Sequence, residues 1–481
     1  MIDTDRKKMC KAPWQQMVIQ VHGTVTPCCF WKDVPLGNLN EDSILTIWNN
    51  AKYQDLRRRH LEADYLGSGC EFCLTHKQCT WMSELHYDPR YLLEKEPYSK
   101  YGQNMERLKS ELESKKIILE SNPTRIQLVP SVKCNIRCTY CYQHIFREKE
   151  LNSPTLYKDF SELLPFLDQV LASGGEPLFL PFWLKFIENF TTGTNPYLEL
   201  AFNTNGTIFN QTIQKNLEKF GRLHIAVSLD AASSTLYEKI RSNTKYEQII
   251  ANLDNFTEIT KNKHDSVTKI TAAIMKDNIQ DIANIVDFAL ARKIILGFGF
   301  VSGPSLPLAI NSFNNPLEQI RGWKEFIELG KAKARERLAD PNLRAIAQEI
   351  LASLSHLESV IPWEFQPNNL AVQADLGLMV GPNLLLSPEE QAYVQFHPLE
   401  KPLSGRGSYY SPIKDGKISL HIKPGRYYAV LLGHDFTVME ELNDYFFTVT
   451  VDGQLRISKQ RKGLLYDIAR KIRSKLSIAE I

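Results

Sequence analysis

Between residues 124 and 303 short apolar runs alternate with longer amphipathic stretches. TRIQLVP, LELAFNTNG, LHIAVSLD, KITAAIM and ILGFGFV read as strands, because apolar residues recur at alternate positions or fill a short run bounded by turn residues. Helical stretches separate them. SELLPFLDQVLAS reads as one such helix, broken or started near Pro165, and EPLFL begins the next turn. This order predicts parallel strands joined by crossover helices, an α/β fold of barrel or partial-barrel type. In such folds the chemistry sits where strands end and loops begin.

The flanks have different periods. VIQVHGTVTPCC (18–29) predicts a hairpin turning at His22-Gly23. DSILTIWNNAKYQDLRRRHLE (42–62) predicts one helix, with Ile44, Ile47, Trp48 and Leu56 on one face and Asp42 or Ser43 as its cap. Residues 96–123 are charged and predict a linker helix; residues 311–369 are helical, clearest in KEFIELGKAKARERLA. KISLHIKPGRYYAVLL and DYFFTVTVDGQLRIS alternate and predict a β-rich accessory domain over 370–481, closed by the basic amphipathic helix LLYDIARKIRSKL. The expected domains are 1–95, the linker 96–123, 124–310, the helical segment 311–369, and 370–481. There is no internal repeat or low-complexity tract.

Composition narrows the class. The 481 residues are 43% apolar and 23% charged, ordinary values for a soluble globular protein of two to four domains. A net charge of +2 gives no strong nucleic-acid signal. The basic residues of the last helix read as a solvated face over Leu465, Ile468, Ile472 and Leu476, with RNA modification as the alternative reading. No apolar run approaches a membrane span, and MIDTDRKKMC lacks the apolar core of a signal peptide, so a cytoplasmic location is expected. The nine cysteines are Cys10, Cys28, Cys29, Cys70, Cys73, Cys79, Cys134, Cys138 and Cys141, and the last 340 residues hold none. In a reducing compartment this crowding points to metal or redox chemistry in the first third of the chain.

CNIRCTYC (134–141) carries three of them as Cys-x3-Cys-x2-Cys, in the loop after the first strand of the alternating region. Thiolates favour zinc, copper(I) or iron–sulfur clusters. Structural zinc takes four ligands, usually from two separated pairs, so a single three-cysteine loop suits a cubane [4Fe–4S] cluster with one open iron better. The spacing, with aromatic Tyr140 before the last cysteine, resembles the signature of the radical SAM superfamily. The resemblance implies a partial (β/α)6-type barrel. It also implies that S-adenosylmethionine (SAM) chelates the open iron, and that one electron cleaves it to methionine and a 5′-deoxyadenosyl radical that takes a substrate hydrogen. Further segments are similar to that family's cofactor contacts. Gly174-Gly175-Glu176-Pro177 resembles the segment that receives the SAM ammonium. Asn203-Thr204-Asn205-Gly206 resembles a polar segment beside the cofactor. Ser228-Leu229-Asp230 resembles a ribose and carboxylate contact, and Arg241 an arginine that pairs with the SAM carboxylate. ILGFGFV, with Phe300, resembles the strand whose backbone approaches the adenine.

The N-terminal cysteines form Cys10-x12-Gly23-x4-Cys28 followed by Cys70-x2-Cys73-x5-Cys79. With KAPW, GTVTPCC, LGNL and SILTIW around them, they resemble the SPASM and twitch auxiliary-cluster domains, here preceding the barrel instead of following it. Where a full SPASM domain has its next cysteine this chain has Ser83. The resemblance therefore implies one auxiliary [4Fe–4S] cluster on Cys10, Cys28, Cys70 and Cys73, with Cys79 as an alternative ligand. Two distant cysteine pairs also describe a structural zinc site. Cys29 and Cys79 are left over as buried thiols or as a hydrogen-atom donor. The implied activity is oxidoreductase- or isomerase-type radical chemistry, first on a peptide or protein. The alternatives are dehydrogenation or epimerisation of a carbohydrate or small metabolite, and a non-catalytic zinc- or SAM-binding scaffold. An electron donor such as flavodoxin or ferredoxin is implied as partner.

Overall fold

The computed structural model describes residues 9–29, 31, 35–64, 70, 84–94, 99–141, 143, 150–151, 153, 155–275, 277–300 and 323–364, and the backbone of eight strands between 370 and 459; side chains are described to residue 358, that of residue 300 excepted. In chain order the first eleven strands are β1 (Gln16–Ile19), β2 (Thr24–Thr26), β3 (Gly37–Asn38), β4 (Arg125–Leu128), β5 (Arg137–Cys138), β6 (Gln169–Ala172), β7 (Glu199–Thr204), β8 (Arg222–Ser228), β9 (Arg241–Ser242), β10 (Val267–Ile274) and β11 (Ile295–Phe300). The chain divides into two compact units, the first made of Met1–Ile136, Arg147–Ser228 and Asn243–Lys269 and the second of Arg137–Phe146, Leu229–Ser242 and Ile270–Ile481.

In the first unit the strands run β3-β2-β1-β4-β6-β7-β8. From β1 to β8 the pairing is parallel, with Met17, Ile126, Val170, Leu200 and Leu223 lying in one register row. All five are at most 1% exposed. This apolar face is what drives sheet formation, at about 1.5–3 kcal/mol for each large side chain buried. The helices Pro181–Asn189 and Tyr246–Lys261 bury Trp183, Phe186, Ile249, Leu253 and Phe256. On the other face the first residues of four strands, Arg125, Gln169, Glu199 and Arg222, form a polar row. Arg125 donates to Gln169, Gln169 Nε2 to Glu199 Oε1 at 2.5 Å, and Arg222 Nη1 to Glu199 Oε2 at 3.3 Å. Arg222 also pairs with Asp168 at 2.5 Å. This network braces the N-terminal ends of the strands and leaves their C-terminal ends to the loops.

Three local expectations change. The hairpin of β1 and β2 forms, turned at Gly23 with φ 83°, but β1 also adds to the main sheet beside β4, so the N-terminal segment shares the sheet of the alternating region. The stretch 42–62 is two helices, Ile44–Trp48 capped by Ser43 and Ala51–Leu61 capped by Asn50. Asn49 interrupts it because its side chain serves Leu119 and Arg57, tying the break to residues far along the chain. SELLPFLDQVLAS is not one helix: the helix Leu156–Leu163 ends in a 3-10 turn, and QVLA becomes β6, which Pro165 and the extended Leu167 set up. The linker stretch carries the helix Lys100–Glu113, whose Met105 and Leu108 are 0% exposed.

In the second unit β5 and β9 pair antiparallel, Cys138 opposite Arg241. The helices Ile282–Arg292, Trp323–Glu336 and Arg344–Glu364 follow; Gly330 lets them close up, since a Cβ there would lie 2.7 Å from the Ile282 side chain. The C-terminal strands are β12 (Leu370–Asp375), β13 (Ala392–Pro398), β14 (Tyr409–Ile413), β15 (Lys417–Ile422), β16 (Gly425–Leu432), β17 (Val438–Glu441), β18 (Tyr445–Val449) and β19 (Leu455–Lys459). β12 pairs β15, and the others form a sheet ordered β14-β13-β16-β18-β19 with β17 on β16, antiparallel throughout. The closing basic helix lies outside the described residues.

Candidate functional site

The chain passes from the first unit to the second between Ile136 and Arg137, inside CNIRCTYC. Each unit builds its own polar network around its share of the cysteines.

In the first unit the residues after β6 press against the run that enters the cysteine loop. Gly175 N donates to Ser131 O and Glu176 N to Lys133 O, both at 3.1 Å. A Cβ on Gly175 would fall 1.7 Å from Lys133 O, and one on Gly174, whose φ is +124°, 2.2 Å from Ser131 O. Here the two glycines let two backbones touch. Glu176 is 1% exposed, and both of its oxygens are engaged. Oε1 accepts from Thr204 Oγ1 at 2.8 Å and Leu178 N at 3.1 Å, and Oε2 from Asn205 N at 2.7 Å. The carboxylate thus ties the end of β6 to the end of β7. Pro177 opens the turn whose carbonyl receives Leu180 N before the helix at Pro181.

Asn205 continues the network. Its Oδ1 accepts from Thr207 N at 2.9 Å and Thr207 Oγ1 at 2.6 Å. Those two donors fix the amide orientation, and Nδ2 then points to Asn135 Oδ1 at 2.9 Å and Cys134 Sγ at 3.7 Å. Asn135 Nδ2 returns a bond to Thr207 Oγ1 at 2.8 Å. Gly206, at φ +74°, carries the turn, and its carbonyl accepts from the buried Asn252. Asn203 is exposed on β7 and Ser228 is half-buried at the end of β8.

In the second unit Asp230 and Arg241 are 0% and 5% exposed. Arg241 Nε donates to Asp230 Oδ2 at 2.6 Å, Nη2 to Tyr140 Oη at 2.5 Å, and Nη1 lies 3.6 Å from Cys138 Sγ. Tyr140 Oη donates to Asp230 Oδ2 at 2.9 Å, and Asp230 Oδ1 accepts Ala273 N at 2.8 Å. Burial is the largest single influence on Arg241 and opposes its charge, but Asp230, Tyr140, Cys138 and Tyr237 together outweigh it and hold the guanidinium well above its usual range. Burial, above all, raises the Tyr140 hydroxyl, so it stays a neutral donor. The backbone adds two ties: Thr139 N to Ile240 O at 2.9 Å and Cys141 N to Cys138 O at 3.2 Å.

The N-terminal set is only partly described. Cys10, Cys28 and Cys70 are half-buried and Cys29 is exposed, whereas Cys73 and Cys79 lie outside the described residues. Cys70 Sγ lies 3.8 Å from His60 Nε2, and Nδ1 of that buried ring faces Leu56 O at 2.9 Å. Among the described residues no three His, Cys, Asp or Glu side chains are gathered as a metal site. Phe300 ends β11, its side chain undescribed.

Sequence reasoning did not single out Asn135, Thr207 or Asn252 as site residues. Their signal is weak: short polar residues at strand ends are ordinary turn formers, and only the network distinguishes them.

Residues 128–289 match the model of the radical SAM superfamily, and residues 10–74 match that of an iron–sulfur cluster-binding domain, SPASM. The chain therefore carries a radical SAM domain preceded by a SPASM domain. GTP 3′,8-cyclase of Haemophilus influenzae is 26% identical over 176 residues, 34% of this chain and 50% of that protein. AdoMet-dependent heme synthase of Methanosarcina barkeri is 26% identical over 188 residues, 37% of this chain and 50% of that protein. The chain spans about half the length of these curated relatives. Among solved structures, Streptococcus suis SuiB bound to S-adenosylmethionine aligns at a TM-score of 0.35 and 17% identity, covering 57% of this chain and 62% of that one.

The cofactors of the two domains are S-adenosylmethionine and [4Fe–4S] clusters, one of the radical SAM type and one auxiliary. The donor set of the cysteine loop fits a thiolate-held cluster. Three soft ligands sit within eight residues, and N–H donors face the sulfurs of Cys134 and Cys138.

Proposed function

We propose that the chain is a radical SAM enzyme acting on a peptide or protein, with Cys134, Cys138 and Cys141 holding the catalytic cluster. Cys10, Cys28, Cys70 and Cys73 hold the auxiliary one in this reading. The bound cluster and SAM supply a one-electron reductive cleavage that makes a hydrogen-abstracting radical, and the protein's task is to hold, orient and shield. The observation that carries the reading is the pair of networks at the cysteine loop: buried carboxylates, Glu176 and Asp230, fix the groups that face Cys134 and Cys138. Glu176, Asn203 and Asn205 are the proposed neighbours of the SAM amino end, Ser228 and Asp230 of its ribose, and Phe300 of its adenine. Tyr140, Gly174, Gly175 and Pro177 shape that site, and Arg241 serves the carboxylate end.

Support for the peptide reading comes from the paired domains, a radical centre with an auxiliary cluster that accepts an electron or helps hold a long substrate. A second reading, a small-molecule substrate, is favoured by the names of the relatives, a GTP cyclase and a heme synthase. The test is anaerobic reconstitution followed by dithionite and SAM. Slow release of 5′-deoxyadenosine without substrate is expected; its absence in an iron-replete protein sinks the enzyme reading. Faster release with candidate peptides, against none with nucleotides or sugars, separates the two substrate classes.

A further inference from the structure

The two N–H groups aimed at cysteine sulfur have a consequence for the cluster itself. We infer that Asn205 and Arg241 are positioning residues whose N–H groups bond the sulfurs of Cys134 and Cys138 and thereby set the reduction potential of the radical SAM cluster. The inference rests on the assignment of those cysteines as cluster ligands and adds to it what the surrounding side chains do.

The argument is one of constrained donors. Asn205 has no freedom to turn its amide, because Thr207 presents two donors to Oδ1; a flip would set N–H against N–H. Nδ2 is therefore held toward Cys134 Sγ at 3.7 Å, with Asn135 Oδ1 taking its other hydrogen. Arg241 is held likewise. Asp230 takes Nε and Tyr140 takes Nη2, so Nη1 is left facing Cys138 Sγ at 3.6 Å. The strand pairing places Arg241 directly opposite Cys138, so the contact is fixed by backbone as well as side chain. Both distances are normal for a donor on sulfur, whose lone pairs are diffuse. Because Asp230 balances the guanidinium charge, the effect of Arg241 on the sulfur is that of a directed bond rather than of a free cation.

The consequence follows from charge. Reduction adds one electron, delivered by an external donor, to a cluster that is already anionic through its thiolates. An N–H bond to a ligating sulfur stabilises the more negative state and raises the potential. Removing either donor should make the cluster harder to reduce without removing a ligand.

The experiment compares wild type, Asn205→Asp, Arg241→Lys and the triple Cys134→Ala, Cys138→Ala, Cys141→Ala variant as anaerobically reconstituted full chains. The paramagnetic component missing from the triple variant identifies the cluster, and its midpoint potential is titrated in the others. Asn205→Asp keeps Oδ1 for Thr207 and replaces the donor by a negative oxygen. Arg241→Lys keeps a charge beside Asp230 but cannot reach Asp230, Tyr140 and Cys138 together. Expected are unchanged iron content and a potential moved to more negative values in both, furthest in Asn205→Asp. Should Arg241→Lys fail to fold by circular dichroism, Asn205→Asp alone decides. An unchanged potential at full iron content overturns the inference, and so does loss of iron from a folded Asn205→Asp protein, which would make the network merely structural. If the triple variant keeps all of its iron, the ligand assignment fails instead.

Discussion

Gly175 is the most tightly confined residue of the candidate site. The atoms a Cβ would strike, Lys133 O at 1.7 Å and Val132 O at 2.7 Å, belong to backbone, and backbone cannot rotate away as a side chain does. Gly175→Ala must push the run before Cys134 off the end of β6 and break the bonds from Gly175 N and Glu176 N. A loss of about 2–4 kcal/mol is expected in urea unfolding of the apoprotein. Gly193→Ala, where nothing lies within 4 Å, should leave the midpoint unchanged and serves as the control. Glu176 tests a different term. Its oxygens accept from Thr204, Leu178 and Asn205, so Glu176→Gln sets an NH2 against Thr204 and Leu178 or against Asn205. About 1–3 kcal/mol should be lost, the cost of leaving a buried donor unpaired. Equal stability of Glu176→Gln and wild type would show that the carboxylate is not the tie between β6 and β7.

At the scale of elements, what was legible in the sequence was local. β7, β8, β10 and β11 lie where alternation or a short apolar run put them, because one face of each is packed and the period of two survives in the sequence. β6 was half hidden: QVLA follows a helix with no turn signal but Pro165 and fits either period, and only the Gly174-Gly175 motif after it marks a strand end. The parallel pairing of β1 with β4 was hidden for another reason, since partners more than a hundred residues apart leave no local trace. Of the site, the glycines, Glu176, Asp230, Arg241 and the cysteines could be named from motif, whereas Asn135 and Thr207 owe their roles to a network that forms only on folding. The half-exposed face of β8 carries a pH prediction. Burial first, then the charge of Lys269, lowers His224 to about 4 from 6.5, with Asp265 opposing. The unfolded chain therefore binds a proton that the fold refuses between pH 6.5 and 4. Stability is complete above pH 6.5 and falls as the pH drops toward 4. His224→Gln should flatten that fall between pH 7 and 5 in thermal unfolding of the apoprotein; an unchanged slope would mean that His224 titrates normally.

For the whole molecule, the question is whether the two cysteine sets serve one metal chemistry or two. The proposed ligands Cys10, Cys28, Cys70 and Cys73 lie within residues 10–74 and the other three within 134–141, and each stretch falls in a different domain model. Independent sites should empty independently. Two [4Fe–4S] clusters require about eight irons per chain. Replacing Cys134, Cys138 and Cys141 by Ala should remove about half and leave the N-terminal cluster's absorption in place. Replacing Cys10, Cys28, Cys70 and Cys73 should remove the other half and leave slow SAM cleavage intact, since that step needs only the loop cluster. The zinc alternative gives another pattern: about four irons with one equivalent of zinc, the zinc alone lost with the N-terminal cysteines. Cys29→Ser should change neither metal, as that side chain is exposed. Cys79→Ser tests the alternative ligand, because loss of iron there puts Cys79 in the place of one of the four. Iron near zero in wild type, with zinc at both sites, would remove the radical reading altogether. Loss of all metal on mutating either set would mean that the two regions fold as one cooperative body, which the parallel pairing of β1 with β4 makes the physical competitor to independence.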